Sequence, residues 1–299
     1  MSLGMDMRAG AAFDLADEAA YQAWRAQKLA RFPKTLAELV VEVRDPRALT
    51  PGERQALLER CARANMAIYA SPTGGDADKE IPRRLGLQLG LRDLDPNYLA
   101  DDDGISPLAV AERATRGEFI PYTNRGIRWH TDGYYNPGER TVRAVLLHCV
   151  ERAETGGENE LLDHEIAYIQ LRDRDPRHIR ALMADDAMTI PARVANGRIE
   201  RPAQAGPIFS VDAGGFLHMR YTARAISIEW RSDAATKAAL AALEHILDAA
   251  SPWVFRGRLE PGMGLVGNNV LHTRTPFTDS PRHQRLIYRA RYYQRIGAG

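Results

Sequence analysis

The chain changes character near residue 119, and the pattern after that point restricts the fold more than any other feature. Short segments rich in β-branched and aromatic residues are there bounded by Gly, Pro and Asn, which is typical of strands joined by turns. We predict strands at residues 141–150, 208–211, 216–221, 264–270 and 286–293, and helices around residues 164–183 and 234–250. Many short strands without regular strand–helix alternation argue against a doubly wound sheet and favour a jelly roll.

The first third of the chain has a mostly helical pattern. Apolar residues recur at helical spacing over residues 15–32 and 51–70, and Thr50 and Pro51 suit the N-cap and first position of the second helix. No repeat or linker divides the chain. We therefore predict a single domain over residues 1–299, mainly β with flanking helices (α+β). It comprises a mostly helical N-terminal part, 1–118, and a double-stranded β-helix (jelly-roll) core with helical insertions, 119–299.

The composition indicates a small-molecule partner. Lys and Arg number 40 against 39 Asp and Glu, so the net charge of +1 gives no basic excess for nucleic acid or an anionic membrane. Two separated cysteines, Cys61 and Cys149, suit a reducing compartment. No stretch approaches the roughly 18 apolar residues of a membrane span. We expect a cytoplasmic protein with a small-molecule substrate, and the sequence leaves its oligomeric state open, a homo-oligomer included.

Three residues have the types and spacing of a non-haem iron site. His130 and Asp132 are two positions apart, so in an extended segment both side chains point to the same face. His272 follows an apolar strand, which a jelly roll can bring to the same mouth. Two histidines and one carboxylate leave three coordination positions open, the arrangement of non-haem iron oxygenases. The His-x-Asp pair alone carries little weight, because it is common by chance.

Arginines on the last predicted strand indicate an anion. Arg285 lies thirteen positions after His272, and Arg289 four positions later, on the same predicted strand face as Arg291. Burying this face is costly unless anions are bound there, and a guanidinium pairs with a carboxylate in bidentate geometry. The alternative, that these arginines face solvent on an edge strand, stays open on the charge pattern alone.

Taken together and in order, four motifs resemble those of the taurine dioxygenase (TauD/TfdA) family. They are His130-x-Asp132, the segment TGGENELLDHEIAY at residues 155–168, His272 in VLHTRTPFTD, and Arg285. The resemblance covers residues 122–293. It implies an iron(II)- and 2-oxoglutarate-dependent dioxygenase that uses O2 as second co-substrate, hydroxylates a small metabolite, and releases succinate and CO2.

The resemblance also implies roles for single residues. His130, Asp132 and His272 would bind iron(II), and Arg285 would pair with the distal carboxylate of 2-oxoglutarate. Arg289 matches the family's second arginine, which lies near the substrate or the chelating end of the co-substrate. Asn159 stands where the family usually has Thr or Ser, and its amide would donate to the same distal carboxylate. Halogenating relatives lack the carboxylate of the triad, so Asp132 favours hydroxylation.

Candidate residues of the substrate pocket are those near these motifs. Aromatic residues that would line it, although ordinary packing is the simpler explanation of each, are Trp129, Tyr134, Tyr135 and Tyr221. An anionic substrate would be bound by Arg289 with help from Arg224 or Arg291.

Two other classes of function stay open from the residues. One is a metal-dependent hydrolase or isomerase on the same barrel, which would have no use for the two arginines after His272. The other is a non-catalytic small-molecule binding protein, which would have no reason to retain all three metal ligands.

Overall fold

The computed structural model describes residues 10–96, 101–112, 116–117, 119–195, 197–224 and 226–297. Within these residues lie six α-helices: α1 Glu18–Arg31, α2 Pro51–Ala64, α3 Glu80–Gln88, α4 His164–Arg174, α5 Pro176–Leu182 and α6 Ala234–Asp248. The same residues form nineteen strands: β1 Val40–Glu42, β2 Met66–Ala70, β3 Ser106–Leu108, β4 Ile127–His130, β5 Ala144–Glu151, β6 Thr155–Gly156, β7 Asn159–Leu162, β8 Met188–Ile190, β9 Arg193–Ala195, β10 Arg198–Arg201, β11 Gln204–Gly206, β12 Phe209–Val211, β13 Leu217–Met219, β14 Glu229–Trp230, β15 Phe255–Gly257, β16 Met263–Gly267, β17 Leu271–Arg274, β18 Phe277–Thr278 and β19 Leu286–Tyr292.

The described residues group into two compact units. The helical unit comprises residues 10–32, 164–220 and 224–251, and it contains α1, α4, α5, α6 and β8 to β14. The sheet unit comprises residues 33–163, 221–223 and 252–297 within the described ranges, and it contains all the other elements. The mixed α and β class expected from the sequence is confirmed, and the single domain over residues 1–299 stays a prediction.

Two larger sheets organise the sheet unit. One has six strands in the order β1-β2-β16-β5-β19-β3, and the other has four in the order β15-β7-β17-β4. Neighbouring strands are antiparallel in both, except for the parallel pair β1 and β2. Apolar side chains of α2 and α3, such as Leu57 and Leu85, join Leu146 and Val266 of the six-stranded sheet in one buried cluster. This core fixes the strands β5, β16 and β19.

The second predicted helix begins as expected but ends early. Thr50 caps α2 in a reciprocal capping box with Glu53, and Pro51 occupies the first position. Asn65 then adopts a left-handed conformation with φ of 55°, which ends the helix. The prediction of helix over residues 66–70 was wrong, because this run is the strand β2. A short apolar run buried on both faces cannot be distinguished from a helix by periodicity.

Elsewhere the expected elements mostly form, with differences that have local causes. The helix predicted at residues 164–183 is two helices, because Pro176 cannot continue α4 and instead begins α5 with Asp175 as N-cap. The strand predicted at residues 264–270 ends at Gly267, and His272 lies on the separate strand β17. The first third also supplies the strands β1, β2 and β3, which the sequence analysis did not predict.

The helical unit contains a buried ion pair between two of its helices. Lys28 of α1 lies 2.5 Å from Glu165 of α4, and both side chains are almost fully buried. Removing either partner would leave an uncompensated buried charge, so the pair restricts how α1 packs on α4. No helix in the described ranges has the length and apolar character needed to cross a membrane.

Acid should destabilise the protein through His148. This residue of β5 is fully buried, its Nδ1 lies 2.7 Å from the Tyr69 hydroxyl of β2, and burial lowers its pKa to about 4. In the unfolded chain the His148 imidazole binds a proton with a pKa near 6.5, whereas in the folded protein it stays neutral at that pH. The contribution of the buried, neutral His148 to the unfolding free energy is therefore fully present above about pH 6.5 and is lost as the pH falls towards about 4.

We expect His148→Gln to reduce the pH dependence of the unfolding free energy by up to about 1.4 kcal/mol per pH unit in this window. Urea unfolding at several pH values measures this slope, with the exposed His245→Gln as control. Equal slopes in the wild type and His148→Gln would contradict the assignment, whatever the absolute stabilities.

Candidate metal centre

Two strands of the four-stranded sheet bring two histidines together. His130 ends β4 and His272 lies on β17, and the antiparallel register pairs them directly. Their ring centroids are 4.1 Å apart. On its other side β17 pairs with β7, where Leu161 opposes His272. Directly paired residues project from the same face of a sheet, so these three side chains share one face.

Asp132 completes a buried group of three side chains. The atoms of His130, Asp132 and His272 that can bind a metal all lie within 4.8 Å of one another. Their relative exposures are 8%, 6% and 9%. Among the described residues this is the one group of His, Cys, Asp and Glu side chains with such spacing. The structure therefore brings together the three residues that the sequence analysis selected.

Hydrogen bonds set the orientation of both imidazoles. Nδ1 of His130 lies 3.0 Å from the carbonyl oxygen of Arg128, and Nδ1 of His272 lies 3.0 Å from that of Val270. A ring that donates its Nδ1–H to a carbonyl keeps the lone pair on Nε2 for a metal. Burial, together with the nearby His272, lowers the pKa of His130 to about 3. His130 is thus neutral at physiological pH, as a metal ligand must be.

Asp132 is held as a carboxylate with one oxygen engaged. Nη1 of Arg289 donates to its Oδ1 at 2.9 Å, and both side chains are buried. Oδ2 is also buried but has no hydrogen-bond partner among the described residues. Burial alone would raise the pKa of Asp132, yet the charges of Arg289 and Arg291 outweigh it and hold the pKa well below its usual range. The arrangement leaves Oδ2 for a cation.

Two buried arginines flank the ring of Phe277, and only one of them is engaged by the chain. The guanidinium carbons of Arg274 and Arg285 lie 4.9 and 5.2 Å from the ring centroid. Arg274 donates to backbone carbonyls of the segment before β4, including that of Thr123 at 2.7 Å. Nη1 of Arg285 has no partner among the described residues, and burial lowers the pKa of this arginine to about 10. Arg285 remains charged at neutral pH and is available to an anion.

A cavity of about 40 Å³ is lined by residues of both larger sheets. Its lining is mostly apolar and includes Leu147 of β5 and Leu161 of β7. Leu161 is the cross-strand partner of His272, and Leu147 is that of Arg289. Asn159 also lines the cavity, and its Nδ2 donates to the carbonyl of Thr273 at 2.6 Å. One of its two amide hydrogens is therefore already used between β7 and β17.

Arg291 is paired inside the protein. It is 2% exposed, Nη2 forms an ion pair with Asp95, and Nη1 donates to the Tyr135 hydroxyl at 2.8 Å. Asp95 also accepts a hydrogen bond from the Tyr293 hydroxyl at 2.9 Å. The expected excess of guanidinium on β19 is thus compensated, since Asp95 pairs with Arg291 and Asp132 with Arg289. Asp95 belongs to no motif and lies far from Arg291 in the chain, so nothing in the sequence indicates this ion pair.

The remaining predicted pocket residues have diverse surroundings. Trp129 and Tyr221 are buried, while Tyr134 and Tyr135 are half-buried, with ring centroids 5.3 Å apart in an edge contact. The backbone of Tyr221 exchanges hydrogen bonds with Thr131, which lies between His130 and Asp132. Arg224 is exposed and belongs to the helical unit.

Comparison with known proteins gives one consistent family. The family profile described as taurine catabolism dioxygenase TauD, TfdA family matches residues 38–290. A uridine-5'-phosphate dioxygenase of Amycolatopsis sp is 33% identical over 277 residues, which cover 86% of this chain and 97% of that protein.

Two solved structures have the same fold. Asparagine oxygenase in complex with Fe(II), 2S,3S-3-hydroxyasparagine and succinate matches with a TM-score of 0.60 at 16% identity, covering 83% of this chain and 81% of that one. The non-heme iron oxygenase OrfP in complex with Fe and alpha-ketoglutaric acid matches with a TM-score of 0.58 at 16% identity, covering 82% and 80%. At this identity the likeness concerns the fold alone.

A divalent cation should stabilise the protein through the three clustered side chains. A ligand that binds only the folded state raises the unfolding free energy, by about 2.7 kcal/mol at a hundredfold excess over its Kd. We expect Mn(II) to raise the Tm of the wild type and of the surface variant His245→Ala. It should not raise that of His130→Ala or His272→Ala. An undiminished shift in both variants, measured by thermal unfolding, would show that the cation binds elsewhere.

Proposed function

The chain belongs to the taurine catabolism dioxygenase TauD, TfdA family, and we propose that it is an iron(II)- and 2-oxoglutarate-dependent dioxygenase that hydroxylates a small anionic metabolite. Its co-substrates are 2-oxoglutarate and O2, and its co-products are succinate and CO2. The observation that carries the proposal is the buried group of His130, Asp132 and His272. The same unit contains the buried Arg285, whose Nη1 has no partner among the described residues.

The donor set fits iron(II). Both imidazoles have their Nδ1 engaged by a carbonyl. Oδ2 of Asp132 is a buried acceptor without a partner in the part of the chain that the structure describes, and a cation would satisfy it. Three protein ligands of this kind leave positions for a chelating co-substrate and dioxygen. Bound iron would supply the activation of dioxygen, which is coupled to decarboxylation of 2-oxoglutarate. The contribution of His130, Asp132 and His272 is to bind the metal in a nearly dry site.

Arg285 fits the distal carboxylate of 2-oxoglutarate. A buried guanidinium is costly without an anion, and a carboxylate can accept two parallel hydrogen bonds from it. Asn159 has one amide hydrogen left after its bond to Thr273, and we propose that this hydrogen supports the same carboxylate. A metal-dependent hydrolase would have no use for Arg285, so the co-substrate explains a feature that the alternative does not.

We propose that the six- and four-stranded sheets are the two faces of a jelly roll. Both belong to the sheet unit, both are almost entirely antiparallel, and both line the cavity that contains Leu147 and Leu161 in its wall. The co-substrate would lie between them, with His272 on one sheet and Arg289 on the other. Apolar neighbours such as Leu147 and Leu161 would exclude water from its methylene carbons.

The substrate is proposed to be a nucleoside monophosphate or a compound like it. The relative from Amycolatopsis sp is named for uridine 5'-phosphate and is matched over almost its whole length. Arg289 and Arg291 each pair with an acid of the protein, so another cation should bind the anionic group. Arg128 is exposed, and its guanidinium has no hydrogen bond or ion pair among the described residues. By strand alternation its side chain shares a face of β4 with His130.

Loss of Arg285 should impair co-substrate binding. Removing one partner of a buried charge pair costs about 2 kcal/mol or more, so Arg285→Gln should raise the KM for 2-oxoglutarate about 30-fold or more. The matched control is Arg282→Gln, an exposed arginine in the preceding turn. Succinate release at varied 2-oxoglutarate measures both. If the two variants have similar KM values, Arg285 does not bind the co-substrate.

The anionic group should be required for efficient turnover. A charged hydrogen bond contributes about 1.5 kcal/mol or more, so uridine 5'-phosphate should have a KM about tenfold or more below that of uridine. Arg128→Gln should remove this difference, whereas the exposed Arg125→Gln should retain it. Succinate release with nucleoside monophosphates, small sulfonates and carboxylates, each with a neutral analogue, provides the test. Equal rates for charged and neutral members throughout would contradict an anionic substrate.

A further inference from the structure

We infer that Asn269 is a positioning residue of the metal centre, which fixes the backbone of Asp132 relative to the strand that carries His272. The inference rests on the proposed function in one respect, that His130, Asp132 and His272 bind the metal. Asn269 was not among the residues selected from the sequence, and it does not belong to the ligand group.

The backbone at Asn269 is shaped for this contact. Asn269 lies in the turn between β16 and β17, is 2% exposed, and has a φ of 52°. Asn is one of the few residues besides Gly that adopt this left-handed conformation readily. The turn directs the chain into β17, so Asn269 lies only three positions before His272.

The amide of Asn269 makes three hydrogen bonds, all of them to backbone groups. Its Oδ1 accepts from the N–H of Asp132 at 2.7 Å, and its Nδ2 donates to the carbonyl of Asp132 at 2.9 Å. The second hydrogen of Nδ2 donates to the carbonyl of Val142 at 2.7 Å. Both amide hydrogens are therefore used, and Asp132 is held through its N–H and its carbonyl by one side chain.

These bonds take the place of backbone hydrogen bonds between β4 and β17, which do not extend to Asp132. The pairing of β4 with β17 runs only as far as His130 and His272, so Asp132 lies beyond the last paired residue. Asn269 supplies its backbone partners there, while Arg289 holds Oδ1 of the carboxylate. Asp132 is thus fixed at both ends, and Oδ2 is the oxygen left for the metal.

The neighbouring Asn268 gives a matched control. It is also 2% exposed, but its Oδ1 accepts from the N–H of Ile296 at 2.9 Å and its Nδ2 donates to Oδ1 of Asn65 at 3.2 Å. None of these contacts reaches Asp132. If Asn269 merely stabilised the turn, the two asparagines would be equivalent in their effect on the metal centre.

The decisive comparison is Asn269→Gly against Asn268→Ala. Glycine adopts the left-handed conformation without strain, so Asn269→Gly removes the amide and retains the turn. We expect about a 10- to 100-fold weaker affinity for Mn(II) in equilibrium dialysis, the usual cost of losing a group that orients a ligand. The visible spectrum of the Co(II)-loaded protein should change as well. Asn268→Ala should retain the wild-type affinity and spectrum, even if its Tm falls by as much as that of Asn269→Gly.

Each outcome decides the question. Equal metal affinity and spectrum for the two variants would overturn the role of Asn269, even if both have a lowered Tm. A wild-type protein that binds no metal would instead refute the proposed function. If Asn269→Gly is too unstable to purify alone, both variants are purified with Mn(II) and the loss of metal to a chelator is timed. Faster loss from Asn269→Gly supports the role, and equal rates overturn it.

Discussion

The pairing of β4 with β17 is the contact on which the candidate metal centre depends. It places His130 opposite His272 and brings together two segments that are far apart in the chain. A shift of one residue in this register would move one imidazole to the other face of the sheet and remove it from the centre. The pairing is maintained on the far side of β17 by β7, so the distal histidine lies on a central strand.

Buried charge is the second constraint, because a guanidinium or carboxylate inside the protein must be compensated. Arg289 pairs with Asp132 and Arg291 with Asp95, so these two ion pairs hold β19 close to the metal centre. Arg285, just before β19, forms no ion pair with an acid among the residues that the structure describes, and its Nη1 has no hydrogen-bond partner there. The difference separates two arginines that pair with acids of the protein from Arg285, which we propose to bind the co-substrate.

Different residues hold the carboxylate and the backbone of Asp132. Its carboxylate is oriented by Arg289 and its backbone by Asn269, and Oδ2 has no partner among the described residues, which suits the proposed metal. A ligand restricted in this way loses little conformational entropy when the metal binds. Both imidazoles are restricted in a similar way, because carbonyls two residues earlier in the chain set their tautomer and orientation.

Residues whose chemistry is local or marked by a motif can be predicted from the sequence. His130, Asp132, His272 and Arg285 are candidates because their types and spacing resemble one family, and Thr50 and Pro51 indicate the beginning of α2. The partners of these residues depend on the folded chain. Asp95 and Asn269 carry no motif, and whether a charge is paired depends on strands that meet across the sheets. The strand β2 could not be predicted either, because burial on both faces removes the alternation of apolar and polar residues by which a strand is recognised.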